Sequence, residues 1–245
     1  AIAISCTNPY LGWPDSPAAK AFSRPDTRFA AEPPLCFSRR EYLPIAPEKD
    51  LVQSFAQDFF RKAELREGQY EILSLILQGT DAVGLLPTGG GKSLTYQMAS
   101  LLLPGATLYV APLKSLLQDQ YERLKVDGID GCGFISSALN THERVQQEAR
   151  FTGGKIRMLQ VAPERFLMES FRSLLQTYQA NFGAIAQVVV DECHCVSEWG
   201  HDFRPAYLSL SRIVRDRTAR LGSSAPVVAL TGTASSIVLD DVRRE

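Results

Sequence analysis

An α/β architecture, with a mostly parallel sheet buried between helical layers, is the fold class that this 245-residue sequence predicts. Three observations predict it. Apolar, strand-like runs alternate with helix-patterned segments, recurring roughly every 25–35 residues. Several of the runs are apolar at consecutive positions, as at Val188, Val189 and Val190, which suits strands covered on both faces. The polar and chemically unusual residues gather where those runs end, the edge at which such sheets bind ligands.

The first fifty residues stand apart. Eight of the fourteen prolines fall there, so 1–50 is expected to form an irregular Pro-rich arm and 51–245 the ordered lobe. From Leu51, LVQSFAQDFFRK has helical spacing, and GQYEILSLILQG gives a second amphipathic helix closed by Gly79. DAVGLLP (81–87) is a short apolar strand that runs through TGGGKS into the helix SLTYQMASLLL. TLYVAP (107–112) is the next strand, followed by a helix through Lys125. CGFIS (132–136) is strand-like and THERVQQEAR helical. KIRMLQVAP (155–163) predicts a strand, and ERFLMESFRSLLQTY a helix. AQVVVDE (186–192) and APVVALTGTA (225–234) are the last two strands, with a final helix from Ser235. No internal repeat is visible.

Composition narrows the class. At 45% hydrophobic and 22% charged residues, the chain reads as an ordinary globular protein. No apolar run reaches the roughly 18 residues that a membrane span needs. The N-terminus lacks a basic start followed by a long apolar core, so no secretory signal is expected; it also lacks an initiator Met. The net charge of −1 gives no global attraction to nucleic acid, so any such contact must come from local patches. Five cysteines (Cys6, Cys36, Cys132, Cys193 and Cys195), with no C-x-x-C pair, predict neither a disulfide framework nor a zinc site and suit a reducing, intracellular setting.

LPTGGGKS (86–93) sits where a strand becomes a helix. Gly89, Gly90 and Gly91 let the backbone curl with its N–H groups inward, and the helix start adds unpaired N–H groups and a positive dipole end. Together with Thr88 they form a phosphate cradle. Lys92 is placed to reach the β- and γ-phosphates and Ser93 to offer its hydroxyl to Mg²⁺. The spacing G-x-x-x-x-G-K-S is met except at its first position, where Leu86 stands. The cradle alone leaves kinases, GTPases and motor ATPases open.

VVVDE supplies a second half. Asp191 at the strand's end suits a Mg²⁺ ligand, and Glu192 a general base for the attacking water. Adjacent carboxylates at a buried strand tip are costly unless a cation neutralises them. In LSRIVRDRTARL, Arg212, Arg215, Arg217 and Arg220 do not share one helical face, and the segment reads mainly as a solvated surface.

DECHCVSEWGHDFRPAY (191–207) resembles, over seventeen consecutive positions, the corresponding segment of RecQ-family superfamily 2 DNA helicases, a variant of the DEAH box. Other blocks occur in the matching order. LREGQ (65–69) is similar to that family's F-R-P-G-Q motif, with Leu65 and Glu67 departing; LLPTGGGKSLTYQ resembles its phosphate loop. VAPLKSLLQDQ (110–120) resembles its strand-touching motif, LQVAPERF (159–166) its A-P-E-R segment, and ALTGTAS (229–235) its A-L-T-A-T-A block, with Gly232 departing. The resemblance covers roughly 51–245 and implies a RecA-like P-loop domain, the first of two motor lobes.

By that resemblance Arg66 and Gln69 read adenine. The aromatic loop senses single-stranded DNA: Trp199 and Phe203 meet the strand, while His201 and Arg204 relay the contact to the nucleotide. His194 bridges the ATP site to Thr231 and Thr233 in the last block. Cys193 and Cys195 are expected to be small apolar residues near the sheet edge. ATP and Mg²⁺ are the implied cofactors, with no zinc in this chain. The implied partners are single-stranded or partly duplex DNA and a second RecA-like lobe beyond Glu245 carrying an arginine finger; no membrane is involved. The competing readings are an RNA-directed DEAH-type motor, and a degenerate lobe acting as a DNA-binding or assembly module in a repair or defence complex.

Overall fold

The computed structural model describes residues 46–245, apart from 88, 127, 128, 130, 200–202, 209 and 220–223. Predicted features at Thr88, His201 and Arg220, and on residues 1–45 of the arm, lie outside the described residues.

Six strands form one parallel sheet in the order β1-β6-β5-β2-β4-β3. They are β1 (Ala82–Leu85), β2 (Ala106–Val110), β3 (Cys132–Ile135), β4 (Met158–Val161), β5 (Ile185–Asp191) and β6 (Val227–Thr231). Eight α-helices are described: α1 (Lys49–Phe60), α2 (Gln69–Leu77), α3 (Lys92–Leu102), α4 (Lys114–Val126), α5 (Thr141–Thr152), α6 (Glu169–Phe182), α7 (Leu210–Thr218) and α8 (Ser236–Arg244).

The triple valine of β5 divides between the two faces. Val189 joins one core with residues of α1 to α4, Tyr109 and Leu230. Val188 and Val190 join the other, with Leu108, Val110, Phe171 of α6 and Val214 of α7. The two-residue period of a strand places neighbours on opposite faces, so a strand covered on both sides must be apolar throughout. No helix among the described residues is long and apolar enough to cross a membrane.

Three local details refine the sequence reading. The segment after β4 is not one helix: Pro163–Leu167 is a 3₁₀ turn, Met168 is extended at φ −86° and ψ 132°, and α6 starts at Glu169. A capping box holds the start of α5, Asn140 Oδ1 accepting from Glu143 N and Glu143 Oε2 accepting from Asn140 N, both at 2.9 Å. The arginines of α7 are more than a solvated face. Arg215 Nη2 lies 2.6 Å from Asp81 Oδ2 at the start of β1, and the mostly buried Arg217 reaches Glu169 of α6 at 3.6 Å. Asp81 Oδ1 also accepts from Val227 N at 2.8 Å, fixing the β1–β6 register.

Candidate active site

The tips of β1, β5 and β6 meet at the carboxyl edge of the sheet. Their pairing places Leu85 beside Thr231 and Asp191 beside Leu230. The glycine loop leaves β1, and α3 begins at Lys92. Gly89 and Gly91 both adopt positive φ, 77° and 79°, where a side chain is strained. Leu86, at the position where the spacing rule has glycine, is buried, and its N–H donates to Thr231 O at 3.1 Å. The departure therefore serves the core and the β1–β6 seam.

Lys92 crosses the edge to the other strand. Its Nζ is 3.3 Å from Glu192 Oε1 and 3.8 Å from Asp191 Oδ1, a convergence of residues a hundred positions apart. The charge of Lys92 is thus aimed at the place where phosphates between the loop and the carboxylates would add their own negative charge.

Arg66 and Gln69 pack against the glycine loop. Gln69 is buried. Its Nε2 donates to Gly90 O at 3.1 Å and Gly91 O at 3.0 Å, and its Oε1 accepts from Arg66 N at 2.8 Å. Arg66 Nη1 donates to Gly89 O. Their side-chain donors hold the carbonyls of the glycine loop, and the Gly90 N–H is held by Pro87 O at 2.7 Å. A Cβ on Gly91 would stand 2.3 Å from Gln69 Nε2, so the absence of a side chain there lets Gln69 come close.

Asp191 is buried at the end of β5. Its Oδ2 accepts from the Tyr109 hydroxyl at 2.6 Å and its Oδ1 from Glu192 N at 3.0 Å. Burial pushes its carboxyl above the usual carboxylate range; the Tyr109 hydrogen bond and Lys92 pull the other way, and the charge of Glu192 adds to the rise. Tyr207 donates to Asp191 O at 3.0 Å, which fixes the backbone at the same point. Tyr109 and Tyr207 were not singled out as site residues from sequence. A usable signal was there, since a tyrosine in an otherwise aliphatic buried strand needs a partner for its hydroxyl.

Glu192 takes a left-handed conformation, φ 50° and ψ 45°. Few non-glycine residues do so. The turn sends the chain from β5 into the 3₁₀ helix Cys193–Val196. It leaves the Glu192 carboxylate partly exposed between Lys92 and His194, with Oε2 3.3 Å from His194 Nδ1.

His194 Nδ1 also lies 2.8 Å from Thr231 Oγ1. The Thr231 hydroxyl donates to Thr233 O at 3.0 Å and accepts weakly from Thr233 N at 3.4 Å. With its one proton used, Thr231 accepts from His194, so Nδ1 carries the hydrogen; the nearby Glu192 carboxylate favours the same tautomer. Cys193 and Cys195, in the 3₁₀ helix that follows, are buried and form no disulfide.

The aromatic loop follows. Trp199 is 79% exposed. Ser197, almost fully buried, accepts from Trp199 N at 3.2 Å and donates to Asp241 Oδ2 of α8 at 2.6 Å. Phe203 is half-buried. Arg204 Nη1 donates to Pro112 O at 2.8 Å, joining this loop to the segment after β2.

For magnesium, the donor set fits. Ser93 and Asp191 offer a hydroxyl and a carboxylate, the hard oxygen donors that Mg²⁺ takes alongside water and substrate phosphates. Among the described residues no group of three His, Cys, Asp or Glu side chains could hold a metal ion. A magnesium shared with a nucleotide needs no such cluster.

Residues 66–242 match the DEAD/DEAH box helicase family. The chain is 34% identical over 197 residues to the ATP-dependent DNA helicase RecQ of Haemophilus influenzae (strain ATCC 51907 / DSM 11121 / KW20 / Rd), covering 80% of this chain and 30% of that protein. It is 38% identical over 195 residues to the probable ATP-dependent DNA helicase RecS of Bacillus subtilis (strain 168), covering 78% and 36%. The chain thus spans about a third of the length of these curated relatives. Among solved structures, the DUF1998 helicase MrfA bound to DNA aligns with a TM-score of 0.60 at 20% identity, over 84% of this chain and 29% of that one. At that identity the likeness speaks for the fold alone.

Proposed function

The chain belongs to the DEAD/DEAH box helicases as a RecQ-type lobe, and from that premise we propose that it is the nucleotide-binding half of an ATP-dependent DNA motor. The glycine loop and the start of α3 cradle the phosphates, and Lys92 neutralises the β- and γ-phosphates. Ser93 and Asp191 hold Mg²⁺, which when bound would draw charge from the phosphates. Glu192, freed from Lys92 as phosphates take over that contact, accepts the proton of the attacking water. Single-stranded DNA stacks on Trp199 and Phe203, and the loop joined to β5 moves Glu192 and His194. His201 and Arg204 assist that relay, and Thr231 and Thr233 receive it. A second lobe supplies an arginine finger. Without one, a lobe of this kind binds Mg-ATP but hydrolyses it slowly, since such fingers are worth about 10³–10⁵ in rate. An intracellular compartment fits Cys132, Cys193 and Cys195, which form no disulfide.

One observation carries this reading: Lys92 from the loop and the Asp191–Glu192 pair from β5 converge within 3.8 Å in one crevice. The test is a titration of a fluorescent ATP analogue with magnesium into wild type and Lys92→Ala. Tight binding by wild type and a loss of about a hundredfold in the variant are expected. Equal affinities would remove the phosphate role of Lys92 and, with it, the proposed site.

A further inference from the structure

Beneath the candidate site lies a buried pair of tyrosines that the nucleotide chemistry above does not use. Tyr96 is on the second turn of α3 and Tyr109 in the middle of β2; both are fully buried, with ring centroids 5.0 Å apart and planes inclined at 34°. Tyr109 donates to Asp191 Oδ2 at 2.6 Å, a short bond of the kind made to a charged acceptor. The ring of Tyr96 backs the ring of Tyr109.

A carboxylate only accepts, so the Tyr109 proton goes to Asp191, one of the two side chains assigned to magnesium.

We propose that Tyr109, its ring backed by Tyr96, is a positioning residue that sets Asp191 for magnesium. Tyr109 occupies Oδ2 and stops the carboxylate from rotating, so Oδ1, the oxygen 3.8 Å from Lys92 Nζ, faces the phosphate cradle. The arrangement also offsets part of the desolvation of Asp191.

This inference rests on the assignment of Ser93 and Asp191 to magnesium, and its test separates the two. A fluorescent ATP analogue is titrated into the 245-residue chain, first with EDTA and then across a range of magnesium chloride, for wild type, Tyr109→Phe, Tyr96→Phe and Asp191→Asn. If wild type and Asp191→Asn bind the analogue alike with and without magnesium, the assignment itself is wrong. If wild type binds more tightly with magnesium and Asp191→Asn loses that gain, the assignment stands and the tyrosines are under test. Tyr109→Phe should then need about tenfold more magnesium for half-saturation, with its magnesium-free affinity within about twofold of wild type. Tyr96→Phe keeps the ring that packs on Tyr109 and should leave the magnesium midpoint within about twofold of wild type. Tyr109→Met, titrated in the same way, serves where Tyr109→Phe does not fold. An unchanged magnesium midpoint in a folded Tyr109→Phe variant, or in Tyr109→Met where the first does not fold, overturns the proposal. So does a parallel fall in magnesium-free and magnesium-dependent affinity, which is the mark of a packing role alone.

Discussion

His194 and Thr231 stand 2.8 Å apart, Nδ1 to Oγ1, and join the tip of β5 to the tip of β6. The same imidazole nitrogen is 3.3 Å from the Glu192 carboxylate. Any shift of β6 relative to β5 therefore reaches the proposed general base through one side chain, a short physical connection rather than a long pathway. Thr231→Val removes this link and leaves Glu192 as the acceptor for His194, at a cost of about 0.5–1.5 kcal/mol in stability. In a protein that carries both lobes, nucleotide affinity should stay within about twofold while DNA-stimulated turnover falls about tenfold. Equilibrium titration and steady-state hydrolysis, run side by side, check the split.

Trp199 gives the opposite pattern from a core tryptophan. At 79% exposure its indole contributes little to folding, so Trp199→Ala should leave stability within about 0.5 kcal/mol of wild type. Binding of a labelled single-stranded oligonucleotide, followed by anisotropy, should weaken by about 1–3 kcal/mol, the usual value of one stacked base. A large fall in melting temperature with unchanged DNA affinity would reverse the assignment.

Asp191 is held at a cost to the fold. Its carboxyl is raised above the ordinary range by burial, so the ionised form is disfavoured in the folded chain. The sign follows: its contribution to stability is fully present below the ordinary carboxylate value and is lost as pH rises through the raised native value. Asp191→Asn, which keeps an acceptor for the Tyr109 hydroxyl, should therefore melt a few degrees higher than wild type at neutral pH without nucleotide. Thermal melts across pH should show a smaller loss toward neutrality in the variant, alongside its loss of magnesium-dependent binding.

Cys193 is chemically quiet for a related reason. Burial, with Asp191 and Glu192 nearby, pushes its thiol from 9.0 up to about 12. Since the thiolate is the nucleophile, iodoacetamide at pH 8 should leave Cys193 unmodified in the native chain and modify it in denaturant, as read by peptide mass spectrometry. Its contribution to stability is intact below pH 9 and declines as pH rises through about 12, because the unfolded chain ionises first.

The sequence by itself determined the alternation of strands and helices, the glycine loop before Lys92 and the carboxylate pair after three valines. These are local signals: a period of two or 3.6, a run of residues without side chains, charges that end an apolar stretch. Even there, neighbours changed details. Met168 breaks what reads as one helix, Arg215 pairs at the surface with Asp81, and Arg217 turns inward toward Glu169. Only the tertiary structure decided which polar atoms meet. Tyr109 finds Asp191 across 82 positions because β2 and β5 are neighbours in the sheet, in a register that sets Tyr109 beside Val189. Gln69 turns to the glycine loop, and Ser197 ties the tryptophan loop to Asp241. Such bonds depend on strand order and on the direction of single protons, and neither is written in the spacing of residues along the chain.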